Sequence, residues 1–497
     1  MKEIIIFYNA VVYYKDKWLS ADLCIKDGRI FSLIDRDDLN NNSDNYIDNT
    51  FSNDFLRDIE ADSFLKKGDL LFFCEHMTEN EIRELRKYKI IRIDAEGKHL
   101  FPGFTDIHVH FREPGFSYKE TIESGSMAAA RGGFTTVCAM PNLNPVPDSL
   151  KNLEIELNLI KEQARVHVLP YASITVGEEG KELVDIKALA PYVAAFTDDG
   201  RGVQNPAIMK EAFEAAKEVN KVIVAHAEIN ELSGKGNVHD GIYAKLNGKE
   251  RNNPLSESEA VKRDLEICKT CKGSYHVCHV SSRASVNHLK LAKEAGVDCT
   301  YETAPHYLIF NDMNLKDEGR FQMNPPIRSL LDQIELINAL RNDEILCIAT
   351  DHAPHSEEEK SRKLGECLNG VVGLETSFPI LYTYLVQTGV ITLEHLIAMM
   401  SFRSVDRFRL NEVKEPWNNL GIPRSFDIGE VADLCLYDLN EIYTVDSSEF
   451  LSKGKASPFE GMKVMGRCLL TLVSGKVAYA DKSVEEAKYI SDVRAEL

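Results

Sequence analysis

His108 and His110 stand two residues apart in the stretch FPGFTDIHVHFREPG (101–115), and Arg112 follows at the same spacing. Residues i and i+2 of a strand share a face, so the alternation from Thr105 to His110 points both imidazoles the same way. Two imidazoles side by side at a strand end can grip one divalent metal ion, although a lone HxH is as often a packed pair of histidines. Further polar residues close the apolar segments downstream: Asn142, Asp198 and Asp199, His226, His279 and His306, then Asp351, His352 and His355. Any one of these alone fits a core or loop position. Their recurrence at segment ends is what argues for a metal site. Histidine and carboxylate without cysteine suit zinc, less often manganese, cobalt or iron. The set is large enough for two ions, which would turn a shared water into hydroxide near neutral pH and polarise a carbonyl.

Such residues must be carried to a common centre. From Leu100 to about Phe408, eight apolar segments alternate with amphipathic helices. The strands read as FTDIHVHF, FTTVCAMPN, RVHVLPYASIT, VAAFTDD, KVIVAHAE, YHVCHVSS, VDCTYETAPHY and EILCIATDHAPH. Near-continuous apolar strands with helical crossovers predict an α/β chain with a (β/α)8 TIM-type barrel, whose chemistry sits at the C-terminal strand ends. Residues 1 to about 35 and those after about 411 read instead as strands joined by tight turns. The two sets should close one small β-sandwich-like domain. The expected division is therefore 1–99 for its N-terminal part, 100–410 for the barrel, and 411–497 for its C-terminal part and tail. Residues from about 36 to 90 interrupt the first part as a surface elaboration. Within them GDLLFFCEHM reads as a strand, and Thr78 with Glu81 as a capping-box helix start.

The 497 residues are 44% hydrophobic and 27% charged, as in a globular chain with a sizeable core. A net charge of −20 argues against nucleic acid or an anionic membrane as partner, and demands local positive charge if the substrate is an anion. The N-terminus has no signal-peptide pattern, and no window is apolar enough to span a bilayer. Eleven scattered cysteines, with one CxxC at Cys268 and Cys271, read as buried thiols of a reducing, cytoplasmic compartment.

FPGFTDIHVHFREPG and ATDHAPH resemble the two signatures of dihydroorotases in the amidohydrolase superfamily, closest to the single-function bacterial type. The resemblance extends from about Leu100 through Gly373 and includes MPN (140–142), FTDDG (196–200), HAE (226–228), CHVSS (278–282) and MNPP (323–326). It implies that His108 and His110 bind one zinc ion, and His226 and His279 a second. Asp199 matches the bridging carboxylate, with Asp198 as the alternative. Asp351 would touch the first metal and act as general base and then general acid. Arg112, Asn142, Asn324 and His355 would hold the substrate. The implied reaction is reversible closure of N-carbamoyl-L-aspartate to dihydroorotate in pyrimidine synthesis, with a metal-bound hydroxide as nucleophile in the hydrolytic direction. The implied partners are that small molecule and a second copy of the chain, and a complex with aspartate transcarbamoylase stays open. Cyclic amidases such as dihydropyrimidinase, hydantoinase and allantoinase are the rival reading. They bridge their metals with a carboxylated lysine, whereas VAAFTDDG holds no lysine. An inactive partner of aspartate transcarbamoylase is the second rival, although every expected ligand is present. His276, His306 and His352 are expected to pack without a chemical role, and the loop bearing Ile327 and Arg328 to cover the substrate.

Overall fold

The computed structural model describes residues 2–37, 47, 49–61, 65–74, 76–414, 421–423, 425–486 and 491–492. The chain divides into two compact units: residues 1–104, 421–441 and 466–497, and residues 105–420 and 442–465.

The first unit is organised on one sheet. Strands β1 (Glu3–Tyr14), β2 (Lys17–Lys26) and β3 (Arg29–Asp35) form an antiparallel meander. β4 (Lys89–Asp94) and β5 (His99–Pro102) both pair parallel to β1. The C-terminal region supplies a strand (Leu434–Thr444) antiparallel to β5, so the two ends of the chain share the sheet. Its alternate faces bury two separate cores. One gathers Phe7, Val12, Leu23, Ile93, Leu434 and Leu470. The other joins Ile4, Ile6, Cys24 and Ile90 to Phe55, Ile59, Leu70, Phe72, Phe73 and Ile82.

That second core corrects the reading of residues 36–90. Most of the described part of the segment is helical and packs a buried face on the sheet. GDLLFFCEHM is not a strand. Lys67–Leu70 is a helical turn, and Phe72, Phe73 and Cys74 continue it with N–H bonds back to Asp69 and Leu70. Four successive apolar side chains cannot all face one side of a strand, whereas in this turn Leu70, Phe72 and Phe73 all enter the core. The capping box at Thr78 opens the helix Glu79–Glu84 as expected.

In the second unit, β6 (Phe104–Val109), β7 (Phe134–Ala139) and β8 (His167–Pro170) form one sheet, with β7 and β8 parallel. β9 (Ile223–Ala225) leads, past the short strands β10 (Val238–His239) and β11 (Arg251–Asn252), to β12 (Tyr275–Val277), β13 (Cys299–Thr303) and β14 (Cys347–Ile348). The last three pair parallel with one another and with β9. Single parallel bridges join the two sheets: Ala172 to Phe196, Phe196 to Ile223, and Val109 to His352. VAAFTDD is thus the one expected strand reduced to a bridge. Its backbone alternates partners, Ala194 N–H donating to Pro170 and Val224 N–H to Phe196, without a continuous ladder.

All six expected helices lie between these strands, and Thr121, Ser149, Asn205, Ser282 and Ser329 cap five of them by accepting a backbone N–H. No helix among the described residues is long and apolar enough to cross a membrane. All eleven cysteines are buried thiols, Cys268 and Cys271 included.

Candidate metal centre

β6 delivers the histidine pair because Asp106 pins it. The Asp106 carboxylate accepts the backbone N–H of His108 and both the N–H and the hydroxyl of Thr350, tying β6 to the segment after β14. His110 N–H then donates to the His352 carbonyl at 2.8 Å. Asp106 was missed in the sequence, although it shares the alternating face of His108 and His110.

Four imidazoles and two carboxylates converge beyond these strand ends. His108 Nε2 lies 3.5 Å from Asp199 Oδ1 and 3.6 Å from Asp351 Oδ1. His110 Nε2 lies 3.4 Å from an oxygen of each. Asp199 Oδ1 is 3.8 Å from His279 Nε2 and 4.0 Å from His226 Nδ1, and those two nitrogens are 3.0 Å apart. Asp199, and not Asp198, faces the cluster. The Asp198 carboxylate accepts N–H groups of Ile174 and Thr175 and the Thr175 hydroxyl, which orients it away. Burial opposes ionisation of Asp199 and Asp351, but the surrounding imidazoles outweigh it and hold both carboxyls well below their usual range.

The donor set fits a divalent cation on a direct observation. His108 Nε2 and Asp199 Oδ1 are buried, face each other, and make no hydrogen bond. Buried polar atoms are normally satisfied, so a buried ring nitrogen and carboxylate oxygen that face each other unbonded fit a cation between them. His108, His110 and Asp351 form one such group, and His108, Asp199 and His279 another. A third, His108 with Cys278 and Glu302, has a different meaning. Glu302 takes His108 Nδ1 at 2.8 Å, the nitrogen turned away from the other groups, and burial pushes the Cys278 thiol well up.

Three of the polar residues occupy a backbone region unusual for residues with side chains: Arg112 (φ 61°), His279 (φ 34°) and Asp351 (φ 48°). Left-handed backbone at strand ends stores strain where side chains must be aimed. Nothing in the residue types announces it.

The cluster opens into a cleft of about 240 Å3, walled by His110, Arg112, Asn142, Asp199, His226, His279, Asn324 and Asp351, with Gly200, Ala353, Asn369 and Gly370. Eight of the ten sequence-predicted residues therefore line it. His108 is fully buried, and His355 is also outside the lining. Arg112 donates to the Pro354 carbonyl and comes within 3.5 Å of His355 Nε2. His355 Nε2 is 2.7 Å from the Asn369 carbonyl, while its Nδ1 meets Lys119. Burial, Arg112 and Lys119 push His355 down to about 3, so it is neutral. Asn324 donates to Glu228, which also meets His226 Nε2, and Asn142 donates to the Asp199 carbonyl. Ile327 and Arg328, expected over the substrate, are outside this wall. Arg328 is buried and held elsewhere: it bonds Ser281 and Asn252 and pairs with Glu257.

The three histidines expected to pack without a chemical role lie outside the cleft lining. His352 Nδ1 accepts the Gly373 N–H, and its Nε2 is 3.6 Å from Glu120. His306 packs edge-on against Tyr307, and burial pushes it down to about 4. His276 meets Glu302 and Thr300. Glu302 and Glu228 are the main omissions of the sequence reading. A charged residue inside the apolar strand CTYET was the available signal for the first.

The family model described as "Dihydro-orotase-like" matches residues 97–285. A dihydroorotase of Bacillus licheniformis is 45% identical over 391 residues, covering 78% of this chain and 89% of that protein. One of Macrococcus caseolyticus is 44% identical over 434 residues, covering 84% and 99%. Among solved structures, the L-hydantoinase (dihydropyrimidinase) of Arthrobacter aurescens has a TM-score of 0.73 over 96% of each chain at 24% identity. That likeness is one of fold.

Proposed function

The chain belongs to the dihydroorotase family, and on that premise we propose how its cleft divides the work. The protein is a metal-dependent cyclic amide hydrolase that interconverts N-carbamoyl-L-aspartate and dihydroorotate in pyrimidine biosynthesis. We read the returning circuit of parallel pairs in the second unit as a (β/α)8 barrel, with the cleft at its C-terminal face. The observation that carries the reading is a single cleft where one guanidinium, Arg112, faces three imidazoles and two carboxylates. The formal charge of its lining is one positive against two negative, so an anionic substrate needs bound cations there.

We assign His108, His110, Asp199, His226, His279 and Asp351 as the residues that would hold two zinc ions, and Asp199, whose carboxylate faces all four imidazoles, as the carboxylate both would share. When bound, the ions polarise the ring amide carbonyl and make a water acidic enough to attack it at neutral pH. Asp351, ionised by its neighbours, accepts the proton of the attacking water and delivers it to the ring nitrogen as the amide C–N bond breaks. Ring closure runs the same transfers in reverse. Arg112 pairs with the substrate carboxylate through two parallel N–H···O bonds, a geometry a lysine cannot copy. Asn142 and Asn324 hold the rest of the ring, while His355, outside the lining, stands 3.5 Å from the Arg112 guanidinium and backs it. The described cleft lining contains no lysine, which sets it apart from amidases that carboxylate one.

The test is metal content together with turnover of dihydroorotate, dihydrouracil and hydantoin. Zinc near two per chain with turnover of dihydroorotate alone is expected, and Arg112→Lys should keep the metal while losing most activity. Bound metal with preference for the uncharged rings would overturn the assignment of Arg112. Absence of both metal and turnover would favour an inactive partner protein.

A further inference from the structure

Glu302 lies on β13 and is 1% exposed, yet it touches no substrate-facing surface. Three groups converge on its carboxylate. His108 Nδ1 is 2.8 Å from Oε1, the backbone N–H of His279 donates to the same oxygen at 3.2 Å, and His276 Nε2 is 3.2 Å from Oε2. An ionised carboxylate only accepts, so both imidazoles must present N–H to it. His108 is thereby fixed with its proton on Nδ1, which leaves the Nε2 lone pair aimed between Asp199 and Asp351. His276, with its proton on Nε2, has Nδ1 free to accept from the Thr300 hydroxyl at 2.9 Å. Every donor and acceptor from Thr300 through His276 and Glu302 to His108 then has one role. The chain crosses β12, β13 and β6, which carry or immediately precede His279, Glu302 and His108.

We propose that Glu302, backed by His276, is a positioning residue that sets the tautomer of His108 and fixes the spacing of His108 and His279 for a divalent cation. The inference rests on the metal assignment above and gives His276 the task the sequence could not. A carboxylate behind a ligating imidazole raises its basicity and fixes its orientation, and losing such a partner costs about 10–100-fold in metal affinity.

Glu302→Gln keeps the shape but puts an amide N–H₂ against one of the two imidazole N–H groups. The measurement is zinc affinity of the metal-stripped full chain by competition with a chromophoric chelator, beside the melting temperature of the metal-free protein. The expected result is zinc affinity weakened about 10–100-fold in a variant that still folds and melts cooperatively without metal, and a shifted visible spectrum when cobalt replaces zinc. Glu302→Asp retains the acceptor and should recover part of the affinity. It carries the same comparison should the glutamine variant fail to fold. Zinc affinity within about twofold of wild type in a folded Glu302 variant would overturn the proposal alone. A wild-type chain that binds no zinc would overturn it together with the metal assignment.

Discussion

Asp69 and Asp199 are both carboxylates with almost no exposure, 1% and 3%, but they are surrounded on opposite terms. Asp69, in the first unit, accepts the Tyr8 hydroxyl, two guanidinium N–H groups of Arg92 and the Lys66 backbone N–H. Asp199, in the second, leaves Oδ1 without a hydrogen bond while four imidazoles face it. A satisfied buried charge joins secondary-structure elements. An unsatisfied one, ringed by imidazole nitrogens, is arranged for something that is not protein. Burial alone does not separate the two cases; whether each carboxylate oxygen finds a hydrogen-bond partner does.

Substitution should separate them sharply. Asp351→Asn keeps the shape of the site but removes the proton carrier, so kcat should fall about 10²–10⁴-fold while thermal stability changes little. A steady-state assay with a parallel melting curve checks this, and near-normal kcat would remove Asp351 from the role of general base. Asp69→Ala should do the reverse. It removes the buried carboxylate paired with the Arg92 guanidinium, whose side chain is only 11% exposed, and should cost about 3–5 kcal/mol in urea unfolding with kcat intact. If activity fell in step with stability, the distinction between the two clusters would fail.

His306 extends the contrast within the second unit. Its Nε2 is buried without a hydrogen bond, and burial lowers its pKa to about 4, against about 6.5 in an unfolded chain. Between those values the unfolded state binds the proton and the folded state does not, so stability is complete above about pH 6.5 and is lost as pH falls towards 4. The loss from this one group is about 3 kcal/mol. Chemical unfolding of wild type and His306→Phe at about pH 7 and about pH 4.5 should show a smaller acid loss in the variant. Equal acid losses would mean that His306 is satisfied in solution.

The sequence made the site's residue types legible because period-two alternation and recurring polar strand ends follow from geometry alone. Alternation placed His108 and His110 on one face, and all ten predicted residues lie in the one unit that holds the cleft. The choice between Asp198 and Asp199 was not legible, since adjacent residues of an extended segment point opposite ways and only the Thr175 contacts show which faces inward. Glu302 was hidden by its distance of 194 residues from His108. In the first unit the failure was of another kind. Helical turns as short as Lys67–Leu70 carry too few residues for periodicity to distinguish them from a strand.

The smallest effect tests whether local rules suffice in that same segment. Thr78 caps the helix Glu79–Glu84: its hydroxyl accepts the Glu81 N–H at 3.4 Å, and Glu81 returns a carboxylate to the Thr78 N–H at 2.8 Å. Both bonds are exposed, so their loss is not compounded by burial. Thr78→Ala should therefore cost about 1 kcal/mol, seen as a lower urea midpoint with an unchanged slope and unchanged kcat. Ile82 and Leu85 of this turn belong to the buried core shared with Ile4, Ile6 and Ile90. A loss well above that figure would mean that the cap also holds those side chains in the core. The helical segment would then be as tightly coupled to its sheet as Asp69 is to Arg92.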